Sequence, residues 1–139
     1  MLGATFVAMV DGPHHLELPG TDKTPTVSLD PKTGVISLTG CSIPENADRF
    51  FTPLYDVVER YATEPAQRTT VRVTLTYFNS SSAKYLLDIF KRLEDLHASG
   101  RSRVQLEWCH APGDLDMAEA GHDYRSLLEF PVRVMVAEG

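Results

Sequence analysis

The densest cluster of reactive side chains in the chain is Tyr77-Phe78-Asn79-Ser80-Ser81-Ser82-Ala83-Lys84. Three adjacent hydroxyls stand where a β-rich run, Thr69 to Phe78, gives way to a helical period that begins near Ser82. Serine at a helix start accepts from the free backbone N–H groups of the first turn. Those N–H groups and the helix dipole also stabilise a phosphate ester. Ordinary capping and phosphorylation are therefore both open on local grounds. A phosphate adds about −1.5 to −2 charges at neutral pH and three strong acceptors, enough to change recognition without refolding a domain. A third chemistry, acyl transfer by Ser80 or Ser81 as nucleophile, needs a histidine base brought close by folding, and no spacing supplies one.

Other candidate chemistry is thinner. Phosphate-cradling G-x-x-x-x-G-K, dinucleotide G-x-G-x-x-G, nucleophile-elbow G-x-S-x-G and zinc-protease H-E-x-x-H motifs do not occur. Among the five histidines, His14, His15, His110 and His122 have no ligand spacing, so they read as solvated side chains and no metal is expected. Cys41 and Cys109 lack C-x-x-C spacing and read as packed thiols in a reducing compartment. Asp114-Leu115-Asp116 lacks the glycine and distal glutamate of a calcium loop and reads as surface charge. Asn79-Ser80-Ser81 matches a glycosylation acceptor, which matters only in a secreted chain. Trp108 reads as core.

The serine cluster must be positioned by the elements on either side of it. Leu16 to Leu18, Thr26 to Leu29 and Val35 to Thr39 read as short strands. Asp30-Pro31-Lys32-Thr33-Gly34 supplies turn chemistry for a hairpin between the last two. Phe50, Leu54, Val57 or Val58 and Tyr61 recur at helical steps after a candidate cap, Asn46. Asp48 lies in the first turn, and Pro53 is expected to kink or delay the helix. After the Thr69 to Phe78 strand, Leu86, Ile89 or Phe90, Leu93 and Leu96 or His97 line one face of a helix from Ser82 to about Ala98, stopped by Gly100. Val104 to Trp108 makes a strand, Asp114 to Leu128 a weaker helix and Pro131 to Ala137 a last strand. Strands alternating with helices pair through right-handed crossovers, which predicts an α/β single domain: a central mixed sheet with an N-terminal hairpin and about three helices packed on it.

The chain's 139 residues suit one domain. We expect residues 1–15 to form an N-terminal extension and residues 16–139 the domain. With 13 Lys and Arg against 19 Asp and Glu, the formal charge is −6. Long-range electrostatics then oppose nucleic acid and anionic membranes as partners. Met1 to Val10 is apolar but lacks a basic flank and stops well short of a bilayer span, so neither signal peptide nor anchor is expected and a cytoplasmic setting is the simplest.

Several blocks occur in one order: Gly20-Thr21-Asp22-Lys23-Thr24-Pro25, the Gly34 hairpin, Ser42-Ile43-Pro44-Glu45-Asn46, Phe50-Phe51-Thr52-Pro53-Leu54 and Tyr77-Phe78-Asn79-Ser80-Ser81-Ser82. Together they resemble the SiaC family of bacterial regulatory phosphoproteins over about Leu16 to Ala137. That family is similar in fold to STAS domains, the anti-sigma-factor antagonists. The resemblance implies a non-enzymatic partner switch, without cofactor, phosphorylated by a dedicated Ser/Thr kinase and dephosphorylated by a PP2C-type phosphatase. Its unmodified form would bind an effector such as a diguanylate cyclase. The family's phosphoacceptor corresponds to Ser80, whereas alignment to the STAS antagonists favours Ser81. Asn79, Ser82 and Lys84 would surround the site, and Pro44, Glu45 and Asn46 would extend the partner surface. A serine hydrolase and a constitutive protein-binding scaffold are the alternatives.

Overall fold

The computed structural model describes residues 15–138. The Met1 to Val10 stretch and His14 lie outside the described residues. The elements in chain order are strands β1 (Leu16–Leu18), β2 (Thr26–Asp30) and β3 (Val35–Ser42), helix α1 (Ala47–Tyr61), strand β4 (Arg68–Phe78), helix α2 (Ser80–Ser99), strand β5 (Arg103–His110), helix α3 (Leu115–Leu127) and strand β6 (Val132–Val136).

The six strands among the described residues form one sheet in the order β1-β2-β3-β4-β5-β6. β1, β2 and β3 are antiparallel, and β3 to β6 run parallel. The hairpin expected from the Asp30 to Gly34 turn is β2 to β3, in register from Thr26↔Thr39 to Asp30↔Val35. Gly34 closes it with φ +74°, and a Cβ there would stand 2.0 Å from the Arg68 carbonyl, so only glycine fits.

Each parallel step moves one strand further in the same direction, and right-handed crossovers then put all three helices on one face. Burial agrees. Ile36 and Leu38, Val71, Val73 and Leu75, and Val104, Leu106 and Trp108 point into the core with Phe51, Leu54, Val58, Phe90 and Leu93 from the helices. The alternating residues form an open polar face, where Ser28 and Ser37 hydroxyls meet at 2.8 Å and Arg72 Nε lies 2.8 Å from Glu107 Oε1.

Several details differ from the sequence-based expectation. α1 runs unbroken through Pro53: burial of Phe51, Leu54, Val57 and Val58 outweighs the one amide bond that proline withholds. It ends at Tyr61. β3 continues past Thr39 to Ser42, crossing an irregularity between Gly40 and Cys41. Asp114 is the cap of α3, accepting from the Met117 N–H at 3.1 Å, rather than free surface charge. α2 begins at Ser80, two residues before the expected start.

Candidate functional site

The start of α2 decides which of the three serines is available. Asn79 is the N-cap, with extended backbone (φ −90°, ψ 174°), and its Oδ1 accepts from the Ser82 N–H at 2.9 Å. Capping is thus done by the asparagine and not by a serine hydroxyl. Ser80 and Ser81 become the first two helical residues, and both are exposed. Their backbone N–H groups have no intrahelical acceptor, as at any helix start.

Ser82 has the opposite environment. It is fully buried, its Oγ lies 2.8 Å from Ser42 Oγ, and it donates to the Ser42 carbonyl at 2.9 Å. The Asn79 N–H donates to that same carbonyl at 3.1 Å. Two bonds therefore tie the β4–α2 joint to the C-terminal end of β3, and a third hydroxyl contact fixes Ser82. Ser42 was not singled out from the sequence. The available signal is a polar residue on the inward parity of a strand, after Ile36 and Leu38.

Below the joint the packing is aromatic. Phe78 meets Trp108 edge-on at 5.5 Å, and Trp108 donates its indole N–H to the Met117 carbonyl at 2.8 Å. Tyr124 reaches from α3 to donate to the Ala83 carbonyl at 2.8 Å, in the first turn of α2. Burial pushes the Tyr124 pKa above the ordinary tyrosine range. Tyr77 stays 59% exposed beside the joint. Lys84 is exposed and forms no ion pair among the described residues.

The structure brings Pro44-Glu45-Asn46 to the same edge of the sheet through Ser42. Pro44 is buried, Glu45 Oε2 pairs with Lys23 Nζ at 3.2 Å, and Asn46 caps α1 by accepting from the Arg49 N–H at 3.0 Å. The Ile43 N–H donates to the Lys23 carbonyl at 2.8 Å, fastening this loop to the β1–β2 connection. On the other side, the Tyr85 hydroxyl donates to Asp48 Oδ1 at 2.9 Å, and that bond is the main cause of a raised Tyr85 pKa. Burial raises the Tyr55 pKa nearby, and Glu59 adds to it.

Ser80 and Ser81 have no hydrogen bond to a histidine or a carboxylate among the described residues. Nor do any three His, Cys, Asp or Glu side chains among the described residues converge as a metal site. No helix among the described residues is long and apolar enough to cross a membrane.

Residues 18–137 match the family described as SiaC family regulatory phosphoprotein. The chain belongs to the SiaC family. An uncharacterised protein of Pseudomonas aeruginosa strain UCBPP-PA14 is 34% identical to this SiaC-family chain over 119 residues, covering 86% of the chain and 94% of that relative. A chain in the crystal structure of the Pseudomonas aeruginosa diguanylate cyclase SiaD in complex with its activator SiaC superposes with a TM-score of 0.82. It is 33% identical and covers 88% of this chain and 99% of that one. Apo-SiaC from the same organism gives a TM-score of 0.80 at 33% identity, covering 87% and 98%. The mixed six-stranded sheet with three helices is thus the SiaC fold, as the ordered sequence blocks implied.

Proposed function

We propose that this SiaC-family protein is a non-enzymatic partner switch whose phosphoacceptor is Ser80, with Ser81 the second candidate. A Ser/Thr kinase adds the phosphate and a PP2C-type phosphatase removes it in the cytoplasm. The unmodified form binds and regulates an effector of the diguanylate cyclase class, as the relative SiaC is described as the activator of SiaD.

The observation that carries this reading is the division of labour among the three serines. Ser82 is held by Ser42, Asn79 does the capping, and Ser80 and Ser81 remain outside on a rigid helix start. A kinase needs such reachable hydroxyls, and a phosphate there is favoured by the helix dipole. Pro44, Glu45 and Asn46 flank the same edge and belong to the docking surface, while Lys84, one turn along α2, is in position to meet the modified side chain.

The test is intact mass with site mapping on protein recovered from its native host, before and after phosphatase treatment, followed by effector binding. A phosphatase-sensitive addition at Ser80 or Ser81 and weaker binding by Ser80→Asp than by Ser80→Ala are expected. Equal affinity of the unmodified and Ser80-phosphorylated forms overturns the switch and leaves a constitutive scaffold.

A further inference from the structure

Among the described residues the sheet has two borders of different character. β1 is blunt: it has three residues, an exposed Glu17 in the middle and Pro19 directly after it. β6, Val132-Arg133-Val134-Met135-Val136, has five residues. It contains no proline, no lysine and no register irregularity, the devices by which exposed borders usually avoid pairing. Val136 at its end is 53% exposed.

The backbone bonds show which groups of β6 face outward. The Leu106 N–H donates to the Pro131 carbonyl at 2.9 Å, and the Ala137 N–H donates to the His110 carbonyl at 2.7 Å. Odd-numbered residues from 131 to 137 therefore aim their backbone groups at β5, and even-numbered ones aim theirs away. The outward N–H and C=O groups of Val132, Val134 and Val136 have no hydrogen-bond partner among the described residues. Pro131 does not protect this border, because its missing N–H belongs to the β5 side. Side chains alternate likewise. Val132 and Val134 lie on the helix side, where a Cβ on Gly121 of α3 would meet Val134 Cγ2 at 3.0 Å, and Arg133 and Met135 lie on the open face.

We propose that β6 pairs antiparallel with β6 of a second copy about a twofold axis at Val134, so that one sheet runs through both molecules. The outward groups are spaced symmetrically about Val134. Val134 then exchanges two backbone bonds with the partner's Val134, and Val132 exchanges two with the partner's Val136. On the open face each Arg133 stands opposite the partner's Met135, so no like charges meet. Sliding by one hydrogen-bonded pair in one direction sets Arg133 against the partner's Arg133. Sliding in the other direction moves the pairing past Val136, where β6 ends. The serine joint lies on β4, two strands in from this border, and stays outside the pairing. The inference stands apart from the effector reading.

Sedimentation equilibrium of the full, unmodified chain tests it. We expect the weight-average mass to rise from 15.4 kDa toward twice that value between about 1 and 500 μM. Amide exchange at Val132, Val134 and Val136 should slow over the same range. Met135→Arg is expected to weaken the dimer about tenfold and Met135→Glu to tighten it, since each places a charge opposite the partner's Arg133. Val136→Pro removes an outward donor without touching a bond to β5 and should leave a monomer. Far-UV spectra that superpose show that the substitutions spare the fold. A mass of 15.4 kDa for the unsubstituted chain throughout the range overturns the dimer. A dimer indifferent to Val136→Pro overturns β6 as its surface, and equal shifts by Met135→Arg and Met135→Glu overturn the register.

Discussion

The hydroxyls of Ser42 and Ser82, forty residues apart in sequence, lie 2.8 Å apart in the core and join the end of β3 to the first turn of α2. Removing the Ser82 hydroxyl strands that of Ser42 in a buried site, whereas without the Ser42 hydroxyl Ser82 still donates to the Ser42 carbonyl. Ser82→Ala is expected to lower stability by about 1–3 kcal/mol, and the double Ala variant to lose less than the sum of the singles. Urea unfolding of the four proteins measures the coupling, and strict additivity would show that the pair is not one interaction.

Asn79 does for α2 what none of the serines does. Asn79→Ala should cost about 0.5–2 kcal/mol through the lost cap, whereas Asn79→Asp should hold stability nearly level, since both residues accept from the Ser82 N–H. Ser80→Ala and Ser81→Ala, at exposed positions, should shift stability by less than about 0.5 kcal/mol. A thermal melt that ranks Ser80→Ala below Asn79→Ala would reassign the cap.

Gly121 lies in α3 against Trp108, and an added Cβ would meet the indole Cδ1 at 2.4 Å. Alanine gains helix propensity worth about 1 kcal/mol, but overpacking a rigid buried ring costs about 1–3 kcal/mol. Gly121→Ala is therefore expected to be destabilising, with a changed emission spectrum from the chain's one tryptophan. An unchanged spectrum together with a higher melting temperature would mean that α3 simply moves outward.

The raised Tyr124 pKa has a definite sign in a pH titration. The folded state holds the phenol proton to higher pH than the unfolded chain, where tyrosine titrates near 10. Its contribution is complete below about pH 10 and is lost as pH rises beyond that. Urea midpoints between pH 8 and 11.5 should fall at the alkaline end, and Tyr124→Phe should flatten that fall. The same variant should cost about 1 kcal/mol at neutral pH through the lost bond to the Ala83 carbonyl.

The hairpin was legible in the sequence because its signals are local: Asp30 to Gly34 can make only a tight turn, and the flanking strands alternate in the usual way. The α2 boundary was less so, because Asn79 and all three serines have side chains able to cap, and only the backbone geometry at Asn79 selects one. Pro53 misleads for the opposite reason, since a local rule yields there to burial contributed by neighbouring elements. Reading the serine cluster as a strand-to-helix joint agreed with the structure. The Ser42 contact did not show in the sequence, because it depends on how segments distant in the chain come to rest against one another.

Strand order has a consequence for how the molecule is made. Among the described residues every strand neighbours the one before it in the chain, so none of these strands has to be inserted between two others already paired. A nascent chain can extend the sheet at one growing edge as it leaves the ribosome, closing only short loops at each step. β3, β4 and the first turn of α2, which make the Ser42–Ser82 contact, are synthesised before α3, whose Tyr124 then bonds the Ala83 carbonyl. The final strand then adds an outer border.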